Sequence, residues 1–450
     1  MADLSPERDQ QFRSMRDIAR EIFNSALTNA SIASAFARNV HCERRVLRIG
    51  DDLHDLDAYQ RIFVISIGKA GHSMAAALEA QLGSGLEGIV ATVEAASAEP
   101  ASQVRGFRYF YGGHPSPTAE SIRAAEAILK SLTALDSTSL VIFMISGGGS
   151  SIVEKPVATM KDEEISLPDL AATYRALVNS GAPIAEINAI RKHLSAVKGG
   201  RLAQAAYPAQ QVSILVSDVP DATPDALASG PTMPDSTSIQ DCERIATKYN
   251  LIEQFPGSVA DLFRQHAIEE TPKSDDPAFV RARWWTVLSN KVAIDEAAAA
   301  ATRAAFAVEV DNSCDDWPYD KAVDYLLNRL RELRSKVSRV CLISGGEVTV
   351  AVRNGGTGGR NQQFALACAE PISGRDITVL SAGTDGIDGN SPAAGAVVDG
   401  STLTRASGAQ AVRQALSTFN AYPLLDRLGD TVVTGPTGNN LRDLRILLAY

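Results

Sequence analysis

Apolar runs of four to six residues recur along the chain, and five of them stop abruptly at small, hydroxyl-bearing or charged residues. Ile62 to Ile67 runs into Gly68-Lys69-Ala70-Gly71, Leu140 to Ile145 into Ser146-Gly147-Gly148-Gly149-Ser150-Ser151, and Val212 to Val216 into Ser217-Asp218. Further on, Val340 to Ile343 leads into Ser344-Gly345-Gly346-Glu347, and Ile377 to Leu380 into Ser381-Ala382-Gly383-Thr384-Asp385. Short continuous apolar runs of this kind predict buried strands. In open α/β sheets ligands sit beyond the carboxyl ends of such strands, so the residues after each run are the first candidates for chemistry.

Between the runs the period changes. Gln11 to Ala37 carries apolar residues at helical spacing, and so do Ala119 to Leu132, Leu170 to Ser180, Asp295 to Ala307 and Val323 to Leu333. Alternation of strands and helices from Ile62 to about Pro234 predicts a parallel sheet wrapped by helices. Leu251 to Pro277 is more polar and holds three prolines, which predicts peripheral helices and loops. After Lys336 the texture shifts: Val348 to Val352 alternates like a strand, Gly355 to Gly359 is a glycine loop, Phe364 to Ala369 reads as helix, and Thr431 to Thr434 reads as a last short strand. The expected division is therefore an α/β domain over residues 1–335, including the helical amino terminus, and a smaller α/β domain of mixed sheet over 336–450.

Composition narrows the function. The chain has 450 residues, 45% hydrophobic and 21% charged, which suits two folded domains. A net charge of −10 argues against nucleic acid and anionic membrane as partners, because both reward clustered cations. No apolar stretch approaches the roughly 20 residues that span a bilayer. The five cysteines are scattered without ligand spacing and read as reduced cytosolic thiols, the amino terminus has no apolar core of a secretory signal, and a cytoplasmic location is expected.

The glycine run Ser146, Gly147, Gly148, Gly149, Ser150, Ser151 is the clearest phosphate candidate, since backbone N–H groups and hydroxyls are exposed together after a buried strand. Three consecutive glycines exceed what a tight turn requires. Lys69, between Gly68 and Gly71, offers a point charge for a transferring phosphoryl group. Asp218 and Asp385 follow buried runs beside Pro or Gly turns, as carboxylates that hold Mg²⁺ or accept a hydroxyl proton do; the plain alternative is an Asx turn. Arg360 ends a glycine run and suits bidentate recognition of carboxylate or phosphate. Asn188, Arg191 and Lys192 fall within one or two turns of a predicted helix, with Lys198 close behind. Gly83-Ser84-Gly85-Leu86-Glu87-Gly88 has the spelling of a dinucleotide fingerprint, but it follows a helical stretch and precedes a strand, the reverse of the required context.

These segments, with Gly113-His114-Pro115, Asn188 through Arg201, Ser229-Gly230-Pro231-Thr232, Gly359-Arg360-Asn361-Gln362, Gly383 to Gly389 and Thr434 to Gly438, resemble the glycerate 2-kinase family. Members combine a Rossmann-like amino-terminal domain with a carboxy-terminal domain called MOFRL. The resemblance implies ATP- and Mg²⁺-dependent phosphorylation of the 2-hydroxyl of D-glycerate, with an active site between the domains. It makes Lys69 and Arg360 the first catalytic and substrate-binding residues, with Asn188 and Arg191 beside them. The Ser146 to Ser151 loop and Lys198 would hold ATP, and Asp218 and Asp385 would organise Mg²⁺ or the attacking hydroxyl. Partners are the hydroxy acid and ATP, with a second copy in a homodimer left open. Thr118, Val348, Gln363, Pro392 and Asn439 depart from the family pattern at motif edges, which leaves the hydroxy acid open. A hydroxypyruvate reductase and a catalytically idle binding homologue stand as alternatives.

Overall fold

The computed structural model describes residues 5–94, 103–159, 163–352 and 355–450. The chain forms two compact units, one of Ile32–Val287 and one that joins Met1–Ser31 to Leu288–Tyr450.

In the first unit the apolar runs form a six-stranded sheet. Its order is Phe107–Tyr111, Glu87–Thr92, Arg61–Ile67, Ser139–Ser146, Gln210–Val216 and Ala282–Leu288. The pairings from Phe107–Tyr111 across to Gln210–Val216 are all parallel. Ser139–Ser146 is buried along its whole length, the signature of a central parallel strand covered on both faces, and this is why it reads as an unbroken run. Helix Ala119–Leu132 packs Ala124, Ala125, Ile128 and Leu132 against Ile65, Ile67, Phe143 and Ile145. A small antiparallel sheet of Val40–Glu43, Val46–Ile49 and Asp52–Asp55 precedes the main one.

The register fixes the working edge. Ile67 lies beside Ile145, and Ser146 beside Val216. Lys69 and Gly147, each two residues beyond the Ile67–Ile145 pair, and Asp218, two beyond Val216, therefore leave three adjacent strands at the same end.

The second unit holds a mixed six-stranded sheet in the order Ala307–Val310, Val340–Gly345, Asp443–Ala449, Ile377–Gly383, Gly395–Asp399 and Thr431–Val432. Asp443–Ala449 runs antiparallel to both neighbours, so its first residue lies beside their last ones, Asp443 facing Gly383 and Leu444 facing Gly345. Helices Tyr319–Arg334 and Arg360–Cys368 pack on one face over Leu342, Val379 and Leu447. The other face is covered by Pro6–Asn29 and Asn290–Arg303, through Phe23, Ile22, Ala297 and Ala301 against Ile343, Leu380 and Ile446.

This packing moves the expected boundary at 335/336. The first helix and the segment from Leu288 belong with the carboxy-terminal sheet, because they supply the apolar cover that one of its faces needs. Two element expectations also change. Val348 to Val352 is not a strand; Thr349 makes an isolated bridge to Pro318. The last strand is Asp443–Ala449, and it is central. Among the described residues no helix is long and apolar enough to cross a membrane.

Candidate functional site

In the first unit the ends of Arg61–Ile67 and Ser139–Ser146 are tied together. The Lys69 N–H donates to the Gly147 carbonyl (2.9 Å), the Ala70 N–H donates to Ser146 Oγ (3.1 Å), and that hydroxyl donates to the Ile67 carbonyl (3.3 Å). Gly68 has φ +118, and a Cβ there would lie 2.3 Å from Ser146 Oγ, so only glycine permits the contact. The approach leaves Lys69 exposed at the rim of the glycine loop.

The glycines make room for side chains from neighbouring strand ends. A Cβ at Gly147 would lie 1.9 Å from Asp218 Oδ2, and one at Gly148 would meet His114 Cδ2 at 3.0 Å and Lys69 Cγ and Cε at 3.1 and 3.2 Å. The carboxylate of Asp218 and the stem of Lys69 thus lie directly over the loop backbone, with the His114 ring alongside. Burial, with the Lys69 charge adding to it, holds His114 below the ordinary imidazole value and favours a neutral ring.

The loop serines face local partners. Ser146 is the tie just described, Ser151 Oγ donates to the Gly148 carbonyl (3.2 Å), and Ser150 Oγ pairs with Ser229 Oγ (3.0 Å). Ser229 and its neighbour Ala228 are held at φ 62 and 51, with Gly230 at 60, and Ala228 Cβ lies 2.9 Å from where a Gly149 Cβ would be. Left-handed backbone at two non-glycine residues costs free energy and persists where surrounding contacts impose it. Here the Gly199 and Gly200 N–H groups hold the Ser229 and Gly230 carbonyls at 3.0 and 2.8 Å.

Asn188, Arg191 and Lys192 share helix Ile184–His193, the first two half-buried and Lys192 buried. Lys192 is buried between Asp225 (2.9 Å) and Asp235 (3.2 Å), as a structural ion pair. The Arg191 guanidinium lies 4.3 Å from the Tyr174 ring centroid. Lys198 departs from expectation. It is fully buried and paired with Glu154, which also accepts from Tyr174 Oη and Ser195 Oγ, each at 2.6 Å. Burial, outweighing the Glu154 charge, lowers Lys198 to about 8. An ammonium so enclosed serves the protein's own carboxylate, and this placement lends no support to contact with ATP.

Arg360 and Asp385 lie in the second unit. Arg360 opens helix Arg360–Cys368 and is gripped by Asp443 through Nε (2.5 Å) and Nη2 (3.0 Å), with Glu347 Oε1 2.9 Å from Nη2. Burial opposes its charge, but the Asp443 hydrogen bonds and the two carboxylates outweigh burial and hold the guanidinium above its usual value. Glu347 is pushed up by its own burial. Asp385 Oδ1 accepts from the Ile387 N–H (3.1 Å), the Asx turn that was the plain alternative. Sequence reasoning passed over Asp443, Glu347, Glu154 and Tyr174. Of these only Glu347 carried a signal, its place after an apolar run and two glycines.

Residues 18–264 match a family described as a domain of unknown function, DUF4147, and residues 340–443 match the MOFRL family. The chain is 34% identical over 394 residues to the D-glycerate 2-kinase of Thermotoga maritima, covering 86% of this chain and 90% of that one. It is 35% identical over 444 residues to an Agrobacterium vitis protein provisionally named hydroxypyruvate reductase, covering 97% and 94%. The crystal structure of a Thermotoga maritima glycerate kinase superposes with a TM-score of 0.82 at 32% identity, over 97% of this chain and all of that one. A Pyrococcus horikoshii protein structure superposes with a TM-score of 0.81 at 31% identity.

Proposed function

Because the chain belongs to the glycerate 2-kinase family, we propose that it transfers the γ-phosphoryl group of ATP to the 2-hydroxyl of D-glycerate or a closely related small hydroxy acid. One observation carries the reading: Lys69 and Asp218 lie over adjacent glycines of a single strand-end loop, which brings a cation and a carboxylate together against backbone that carries no Cβ. In the reaction the hydroxyl oxygen attacks the γ-phosphorus, the bond to the β,γ-bridging oxygen breaks, and ADP departs with that electron pair. Little covalent chemistry falls to the protein, so its work is positioning and charge stabilisation.

On this reading the backbone of Gly147 to Ser150 lies along the phosphates. Lys69 stabilises the charge that develops on the transferring group. Asn188 and Arg191 are assigned to the acid's hydroxyl and carboxylate, and Arg360 to substrate charge. Asp218 orients the attacking hydroxyl, whose proton passes to an oxygen of the transferred phosphoryl group.

Magnesium fits this loop as a one-carboxylate ion. Among the described residues no three His, Cys, Asp or Glu side chains converge, and Mg²⁺ at phosphates commonly takes one or two carboxylates with phosphate oxygens and water. Asp218 would hold it, and when bound it would supply positive charge to the phosphate oxygens. Asp385 is not assigned to it, since its carboxylate serves the turn at Ile387.

Incubation with ATP, Mg²⁺ and D-glycerate, following ADP, tests the proposal against NADH oxidation with hydroxypyruvate. ADP and 2-phosphoglycerate are expected. NADH consumption without ADP would replace the kinase by the reductase. The glycine spelling that would favour a reductase lies after helix Gly71–Leu82, with Gly83 at φ 83 ending it, and so meets no pyrophosphate at a helix start.

A further inference from the structure

Helix Arg360–Cys368 begins after Gly359, which is extended (φ −148°, ψ −172°) and has no side chain to cap the first turn. A carboxylate from another loop does so. Asp388 Oδ1 accepts from the Asn361 N–H (3.1 Å) and Oδ2 from the Gln362 N–H (2.9 Å). A Cβ at Gly359 would lie 2.3 Å from Asp388 Oδ1, so chain and carboxylate are in direct contact. Gln362 Nε2 donates to Ser391 Oγ (2.5 Å), Ser391 Oγ donates to the Asp388 carbonyl (2.9 Å), and Ser381 Oγ donates to Asn361 Oδ1 (2.6 Å). Asp388, Asn361, Gln362, Ser381 and Ser391 are all buried.

This network has one residue at its edge that reaches outward. Arg360 is a third exposed, and it is the residue whose peptide precedes the two capped N–H groups. Asp443 holds its fork, and Asp388 holds the backbone from which it springs. We propose that Asp388 is a positioning residue for Arg360, fixing the start of the helix so that the guanidinium meets substrate charge at a set place. The proposal rests on the reading of Arg360 as a substrate-charge residue. Asp388 itself, buried beneath the helix start, touches no substrate.

The burial of the cap gives it a pH dependence. Burial raises the Asp388 carboxyl to about 6 against the pull of the Gln362 and Asn361 N–H groups; Asp443 raises it further and Arg360 lowers it. As pH falls through this range the carboxyl takes a proton and its hold on the two N–H groups weakens. Activity should therefore show an acid limb near pH 6.

The test compares Asp388→Asn, Arg360→Ala and the wild type in the ADP-release assay with D-glycerate across pH 5 to 8. Asp388→Asn places an amide NH₂ against an N–H donor and cannot titrate. It should lower kcat/KM about tenfold or more at pH 7.5, since small displacements of a charge-positioning group cost one to two decades, and the acid limb near pH 6 should flatten. Wild-type kcat/KM and an unchanged limb in a folded Asp388→Asn would overturn the proposal. If Arg360→Ala keeps wild-type turnover, the assignment of Arg360 is what fails; if Arg360→Ala is impaired while Asp388→Asn is not, positioning alone fails. Should Asp388→Asn not fold, Ser391→Ala removes the brace on Gln362 and Asp388 while leaving the carboxylate. It should lower kcat/KM about threefold or more, and no change would overturn the proposal.

Discussion

Lys69 and Gly147 carry the most testable chemistry at the scale of single residues. The stem of Lys69 rests on Gly148, and its ammonium projects from a loop with no Cβ atoms beneath it. Lys69→Ala should keep the fold and much of the nucleotide affinity while lowering kcat about 100-fold, because a cation at developing phosphoryl charge is worth roughly 3 kcal/mol. Lys69→Arg should rescue poorly, since a planar fork does not fill the place of a compact ammonium beside the His114 ring. Steady-state kinetics with ATP and D-glycerate check both, and near-normal turnover in Lys69→Ala would move the role elsewhere. Gly147→Ala probes Asp218 indirectly. Gly147 is not among the positive-φ residues, so the backbone accepts alanine, but the methyl falls 1.9 Å from Asp218 Oδ2 and must displace that carboxylate. The expected result is a loss of kcat about as large as that of Asp218→Asn, with Tm changed by only a few degrees; a fully active Gly147→Ala would remove Asp218 from the reaction.

Among the elements, the first helix has a role that its position in the chain hides. Pro6–Asn29 lays Phe12, Met15, Ala19, Ile22, Phe23 and Ala26 inward, and Arg16 pairs with Asp399 on the carboxy-terminal sheet. Phe23 is fully buried in the cluster that holds Ile343, Leu380 and Ile446. Phe23→Ala should therefore destabilise the unit containing Leu288–Tyr450 by about 3–5 kcal/mol. Urea unfolding followed by a probe in that unit would show it, and a loss under about 1 kcal/mol would mean that the site collapses around the cavity. The amphipathic helix itself was readable, because the 3.6-residue period survives without knowing what covers it. Its partner was not, since the contact joins residues more than 250 positions apart. The strand Asp443–Ala449 was missed for a related reason: five of its seven residues are aliphatic, but Asp443 and Arg445 interrupt the run, and their partners come from other elements.

For the whole molecule, the kinase reading makes a prediction about stability. Mg·ATP should raise Tm in proportion to the logarithm of its concentration, and NADH should not, since a ligand that binds only the native state stabilises it by mass action. A shift with NADH and none with nucleotide would reverse the reading. The sequence by itself determined the α/β class, the parallel sheet and the glycine loop, because each follows from local pattern: apolar runs of strand length, helical periods between them, and glycines where a strand ends. It also made Lys69 and Asp218 visible, since both follow such runs directly. Tertiary structure decided the rest. Parallel register set Lys69, Gly147 and Asp218 at the ends of three adjacent strands, and an antiparallel strand brought Asp443 back to Arg360. It turned Lys198 inward onto Glu154 and made Asp388 the cap of a helix that starts 28 residues earlier. A charged residue looks the same in sequence whether water or a buried counter-charge solvates it, and only the packed chain shows which of the two surrounds it.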